Sequence, residues 1–352
     1  MPSSTASATV SPAVSTSTPS PTSGSPGIRT KSPLSVTGWL TGNEYSIRVV
    51  FQSNDDMIQY IAYESESKAW KQTPNITKAK AGSPLALTSF ETSWYGTLTP
   101  QTQFNQVELF FLDSENRLNE WSWDITDSTL GTSGSLTPYT IPTGSDSRLA
   151  SYWPFIIYQD AGLGLHEVVY DCRFPGCWFN RTLNQTGYDG ADIVIVPAQQ
   201  NLREMNIIYQ RGDQKLMSLD RNSTNGNLST ASTFSIDLPA AASFAALTVV
   251  RPSSDDAALD TYILYQDSAG MINVIWNNDA SGWQGPETFP AFNDADNGTS
   301  IACLTQAAFF TDTPLQSNSP LSRCYFQVNG ALREVRLDGS DWEIVGDVNA
   351  VL

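Results

Sequence analysis

The chain has 352 residues, a formal net charge of −17, a pI near 4.3 and a single histidine. Such a surface repels nucleic acid and anionic membrane, and no apolar run approaches the roughly 20 residues of a spanning helix. One His beside four Cys leaves no zinc ligand set, and there is no Gly-rich phosphate loop or CxxC redox pair, so neither a metal nor a cofactor is expected.

Residues 1–31 are almost entirely Ser, Thr, Pro, Ala and Gly, with no charge before Arg29 and no apolar signal-peptide centre. They cannot bury enough apolar surface to offset the entropy of ordering, and predict a disordered stalk or linker, open to O-glycosylation. A stalk implies something at its other end. The expectation is an upstream signal or membrane anchor, giving a secreted or surface-held protein with no insertion of its own.

From residue 32 to 352 the sequence reads as one domain of strands and turns. Six apolar segments recur: SIRVVFQ (46–52), QVELFFL (106–112), PFIIYQ (154–159), MNIIYQ (205–210), TYILYQ (261–266) and SRCYFQ (322–327). Five close on an aromatic followed by Gln; the second closes on Phe111-Leu112. Each is preceded by another strand-like echo, from SPLSVTGW (32–39) to TSIACLTQ (299–306). A strand pair returning about every 55 residues marks a radial β array. The predicted fold is all-β, a six-bladed β-propeller of four-stranded antiparallel blades. Trp70, Trp178, Trp283 and Trp342 follow third strands.

Cys172 and Cys177 bracket a short turn, and Cys303 and Cys324 fall in neighbouring strands of the last repeat. The preferred pairing, of three possible, is 172–177 and 303–324. Six Asn-x-Ser/Thr sequons stand at Asn75, Asn180, Asn184, Asn222, Asn227 and Asn297. Disulfides and sequons together point to a secreted glycoprotein.

The last repeat can be built from its turn. Asn329-Gly330 is a strong type I′ hairpin signal. It pairs Val328 with Ala331, Gln327 with Leu332, Phe326 with Arg333 and Tyr325 with Glu334. Arg323 shares the face of Tyr325, so Arg323 and Glu334 become diagonal neighbours, and Trp342 follows on the next strand. Arg gives a rigid fork of donors, Glu accepts from hydroxyls, and an aromatic face covers the C–H patch of a pyranose. The chemistry fits a sugar; it also fits a surface ion pair beside a core Trp.

The pattern Arg323-Cys324-Tyr325-Phe326-Gln327, Leu332-Arg333-Glu334 and Trp342 resembles the fungal fucose-specific lectins, which are six-bladed propellers. The resemblance spans residues 32–352 as a pattern. It implies that Arg323 and Glu334 bind fucose hydroxyls and that aromatics of the adjacent blade complete the pocket. With the ring closed these are Tyr63 and Trp70. The implied partners are fucosylated glycans or glycoproteins.

The other repeats depart from the pattern. Repeat one keeps Arg48 but has Tyr60 at the Glu position, and repeat two keeps Glu120 but has Glu108 at the Arg position. Repeat three keeps Glu167, with Phe155 for Arg and Trp178 following. Repeats four and five have Asn206 with Ser218 and Tyr262 with Val274. Glu108 beside Glu120 predicts repulsion unless one is protonated or a cation lies between. One complete pair in six leaves two further readings open: an extracellular protein-interaction propeller, and a glycoside hydrolase. No motif singles out a catalytic carboxylate pair, His166 sits in strand text as a solvent-side residue, and no catalysis is expected.

Overall fold

In the computed structural model, residues 27–348 are described except 92–104, 126–130, 174, 201, 203, 223–225, 230, 253–257, 280 and 306–314. Six antiparallel sheets stand in a ring. Blade one is Leu34–Thr41, Glu44–Gln52, Met57–Glu64 and Ala69–Gln72, with the short Thr77–Lys78 also pairing its third strand. Blade two is Leu85–Glu91, Asn105–Leu112, Leu118–Asp124 and Thr132–Ser133; blade three is Leu149–Tyr152, Phe155–Gln159, Gly164–Tyr170 and Trp178–Thr186. Blade four is Ile193–Pro197, Glu204–Gln210, Lys215–Asn222 and Ser232–Asp237; blade five is Phe244–Val250, Leu259–Gln266, Ile272–Asn277 and Gln284–Glu287. Blade six is Ala302–Leu304, Arg323–Val328, Ala331–Asp338 and Asp341–Asp347. No helix of the described residues is long and apolar enough to cross a membrane.

The first strands of all six blades surround a central cavity of about 310 Å³. Hydroxyls stitch some of them together: Thr37 Oγ1 to Ser89 Oγ at 2.9 Å, and Leu87 N to Ser35 Oγ at 2.9 Å. The core lies between blades. One cluster joins Leu34, Val49 and Ile61 of blade one to Leu304, Tyr325 and Leu332 of blade six. The wholly buried Phe51, Phe110 and Phe326 belong to three such layers, where truncation to Ala costs about 3–5 kcal/mol.

The repeated glutamine is a clamp on the linker to the next blade. Gln52 Oε1 accepts from Gly82 N at 2.7 Å while its Nε2 donates to Lys80 O at 2.8 Å. Gln210 holds Ala242 N and Pro239 O, and Gln266 holds Gly298 N and Asp296 O. Gln159 donates to Tyr188 O. A buried amide carries a donor and an acceptor that both need partners; the linker backbone supplies both to Gln52, Gln210 and Gln266, whereas Gln159 Oε1 is buried without one. Leu112 replaces the clamp in blade two with apolar packing on Leu118 and Ile141.

Gln327 makes the same clamp on the residues that lead into blade one, donating to Arg29 O at 3.0 Å and accepting from Ser32 N at 3.1 Å. Among the described residues each blade is one contiguous segment, and neither end supplies a strand to the other's blade. Residues 27–31, read above with the disordered segment, are anchored to the propeller through Ile28, which is buried and bridges to Ser53. The expectation for residues 1–26 lies outside the described residues.

Both disulfides form as expected, Cys172–Cys177 and Cys303–Cys324. Five sequon asparagines are exposed and Asn222 is half-buried. His166 pairs with Asp160 at 2.9 Å and stacks on Tyr158.

Candidate functional site

Blade six folds with the expected register: Val328–Ala331, Gln327–Leu332, Phe326–Arg333 and Tyr325–Glu334. Asn329 and Gly330, at φ 51° and 77°, close the hairpin. Asn and Gly are the residues that tolerate that left-handed turn.

Arg323 and Glu334 converge where blade six meets blade one. Arg323 Nη1 donates to Glu334 Oε1 at 2.5 Å, and Tyr325 Oη donates to the same oxygen at 2.8 Å. Arg323 Nε donates to Pro320 O at 2.6 Å and Nη2 to Tyr45 Oη at 2.7 Å. The two side chains are 5% and 3% exposed, so the pair is desolvated and held from several sides. Among the described residues Glu334 Oε2 accepts no hydrogen bond.

Blade one supplies the wall. The Arg323 guanidinium lies 5.2 Å from the Tyr45 ring centre and 5.9 Å from that of Tyr63. Tyr45 stacks on Tyr63 at 5.7 Å, Tyr63 meets Trp70 at 5.3 Å, and Trp70 meets Tyr325 edge-on at 6.0 Å. Burial and the Tyr45 hydroxyl push the Tyr63 phenol up to about 12. Burial is the largest influence on Arg323 and opposes its charge, but Glu334, Tyr325 and Tyr45 together outweigh it and raise the Arg323 pKa. The structure thus brings Arg323, Glu334, Tyr63 and Trp70 together. It adds Tyr45, which the sequence reading missed.

Trp342 is not in this cluster. It lies at the preceding seam, edge-on to Tyr262 at 6.2 Å and packed on Phe292. It pairs with Leu337 as Trp70 pairs with Tyr63, so a blade's fourth-strand Trp faces the blade before it.

The other seams diverge by the same register. Arg48 turns to Glu64 at 2.6 Å and lies over Trp39, while Tyr60 stacks on Trp123 of blade two at 5.3 Å. A ring of the protein itself thus occupies the flat face of that seam. Between blades two and three, Glu108 and Glu120 lie within hydrogen-bonding reach of each other, beside Tyr170 and Trp178. Burial, then the charge of Glu120, holds Glu108 well above the usual carboxylate range; burial lifts Glu120 to about 7.

Between blades three and four the missing guanidinium comes from across the seam. Arg221 of blade four donates to Glu167 from Nε at 2.8 Å and Nη2 at 3.2 Å, with its guanidinium over Phe155 at 5.0 Å. Arg181 adds a third bond to Glu167 at 2.7 Å. Arg and aromatic have exchanged strands: Arg221 occupies the register position of Tyr63, and Phe155 that of Arg323. The clue lay in one column of the repeats, Tyr63, Trp123, Tyr170, Arg221, Asn277 and Leu337, where Arg221 is the one cation.

No protein-family model matches the chain, and no curated protein matches it. Solved structures do. Aleuria aurantia lectin, described as a six-bladed β-propeller with a novel fucose recognition mode, aligns with TM-score 0.70 at 18% identity, covering 92% of this chain and 97% of that one. This chain has the fold of the fucose lectins. AofleA from Arthrobotrys oligospora aligns with TM-score 0.66 at 18% identity, covering 93% and 89%. SapL1 lectin, solved with α-methyl fucoside, shares the fucose-lectin fold with TM-score 0.66 at 15% identity, covering 91% and 97%.

Proposed function

We propose that the protein is a carbohydrate-binding lectin for L-fucose or fucosylated glycans, working mainly through the seam of blades six and one. The observation that carries this is the unused Oε2 of Glu334. A carboxylate whose Oε1 is locked by Arg323 and Tyr325 holds its other oxygen in place as an acceptor preorganised for a hydroxyl. The Tyr45, Tyr63 and Trp70 rings stand beside it, suited to an apolar sugar face. The pair is neutral overall, which matches a neutral deoxysugar. The fold shared with fucose lectins, some of them crystallised with fucosides, supports the same reading.

We further propose a secreted or surface-held glycoprotein, carrying sugar at some of its exposed sequons. A glycan array tests the ligand: signal confined to fucosylated glycans is expected, and an even or empty array overturns the reading. Titration calorimetry with L-fucose on Arg323→Ala tests the place. Loss of at least tenfold in affinity is expected, and unchanged affinity refutes this seam.

A further inference from the structure

Among the described residues, two seams set an aromatic wall beside a carboxyl oxygen that accepts no hydrogen bond. One is the seam of blades six and one; the other joins blades two and three. There Glu108 stands at the register position of Arg323 and Glu120 at that of Glu334. They are 2% and 3% exposed. Glu108 Oε1 accepts from Gln106 Nε2 at 2.6 Å and Ser122 Oγ at 3.0 Å, and Glu120 Oε2 from Leu136 N at 2.7 Å. Glu108 Oε2 is buried and without a donor. Two carboxyls in contact coexist by holding a proton between them or by taking a cation.

The wall follows the register of the first site, with its Trp buried where Trp70 is half-buried. Tyr170 and Trp178 hold the register positions of Tyr63 and Trp70, with ring centres 5.0 Å apart. Trp153, itself buried, backs Tyr170 at 5.4 Å, and Tyr170 keeps part of its ring in solvent. Among the described residues no Arg or Lys bonds to either carboxyl. Replacing Arg by Glu has therefore reversed the demand of the seam, from a ligand that accepts to one that donates and carries positive charge.

We propose that the seam of blades two and three binds a protonated amino sugar, a hexose unit with a free ammonium group, whose ammonium takes the place of the proton between Glu108 and Glu120. Its ring lies against Tyr170 and Trp178. This rests on reading the seams as sugar sites. An ammonium brings three donors to two carboxylates and gains from nearby ring faces. N-acetylation removes that charge. A divalent metal fits less well, because the described residues hold no group of three or more His, Cys, Asp or Glu able to hold one, whereas calcium takes six to eight oxygens.

Calorimetry with D-glucosamine, N-acetyl-D-glucosamine and L-fucose, run in buffers of different ionisation enthalpy, tests this. Glucosamine should bind with release of a proton, at least tenfold tighter than its N-acetyl form, and saturating fucose should not displace it. Glu108→Gln should weaken glucosamine at least tenfold and leave fucose unchanged, which also reports that the variant is folded; Glu120→Gln is the second variant. Arg323→Ala should do the reverse. Absence of glucosamine binding, equal binding of the N-acetyl form, or an unchanged Glu108→Gln overturns the proposal. So does calcium binding alone that is lost with Glu108. Fucose binding without glucosamine binding sinks only this proposal; glucosamine binding without fucose binding sinks only the fucose reading.

Discussion

Two seams bury an Arg–Glu pair against an aromatic ring. At the seam of blades six and one, Arg323 takes one oxygen of Glu334 and leaves the other open. At the seam of blades three and four, Arg221 and Arg181 take both oxygens of Glu167. Residue types and burial are the same; the difference is one unused lone pair. A pair that satisfies itself fastens two blades, whereas a pair with an acceptor left over can hold a ligand. Counting Arg and Glu in a repeat therefore overstates and understates sites at once.

The comparison can be broken most forcefully at the closed seam. Arg221→Ala should destabilise the fold by about 3 kcal/mol, because it leaves Glu167 with only the half-exposed Arg181, and should leave fucose affinity unchanged. Urea denaturation and calorimetry on the same sample check both halves, and a lost fucose signal would make that seam a site. Next comes the acid pair. Folding raises Glu120 from 4.5 to about 7 and Glu108 well above its ordinary value. A raised carboxyl binds its proton more tightly in the folded state, so its stabilisation is complete below about pH 4.5 and is lost as pH rises through about 7. Stability should fall across that window by up to about 3 kcal/mol, and Glu120→Gln should flatten the fall. Thermal melts from pH 4.5 to 8 decide it.

At the open seam, Arg323→Lys keeps the charge but loses the fork, and should weaken fucose binding by about 1.5–3 kcal/mol. Trp70→Ala should cost less, about 1 kcal/mol, if it serves only as a wall; a larger loss would move the centre of the site toward the rings. The smallest signal concerns valency. With a single open fucose seam, a monomer should agglutinate red cells weakly or not at all. Strong agglutination would show that other seams remain open to fucose.

Much of this was legible. The aromatic–Gln ending recurs because each glutamine must clamp a linker, so architecture was visible as period. Asn329-Gly330 fixed the register of blade six, and with it Arg323 beside Glu334. What escaped notice lies across seams. Tyr45 is one tyrosine in an ordinary strand until ring closure sets it on Arg323. Arg221 sits in a column that is aromatic in blades one to three, and its partner is 54 residues away. Trp342 was grouped with Arg323 because both belong to one repeat, yet the twist of a blade turns its fourth strand toward the blade before.

Five of the six seams are crossed by the polypeptide itself. The seam holding Arg323 and Tyr45 is the joint where the last blade meets the first, and there the chain is continuous only through the long way round. Gln327 gripping Arg29 and Ser32 is the latch. A sugar seated on Glu334 and the blade-one rings would act as a second latch on the same joint. Its binding would then register as resistance of the whole ring to opening, growing with the logarithm of sugar concentration.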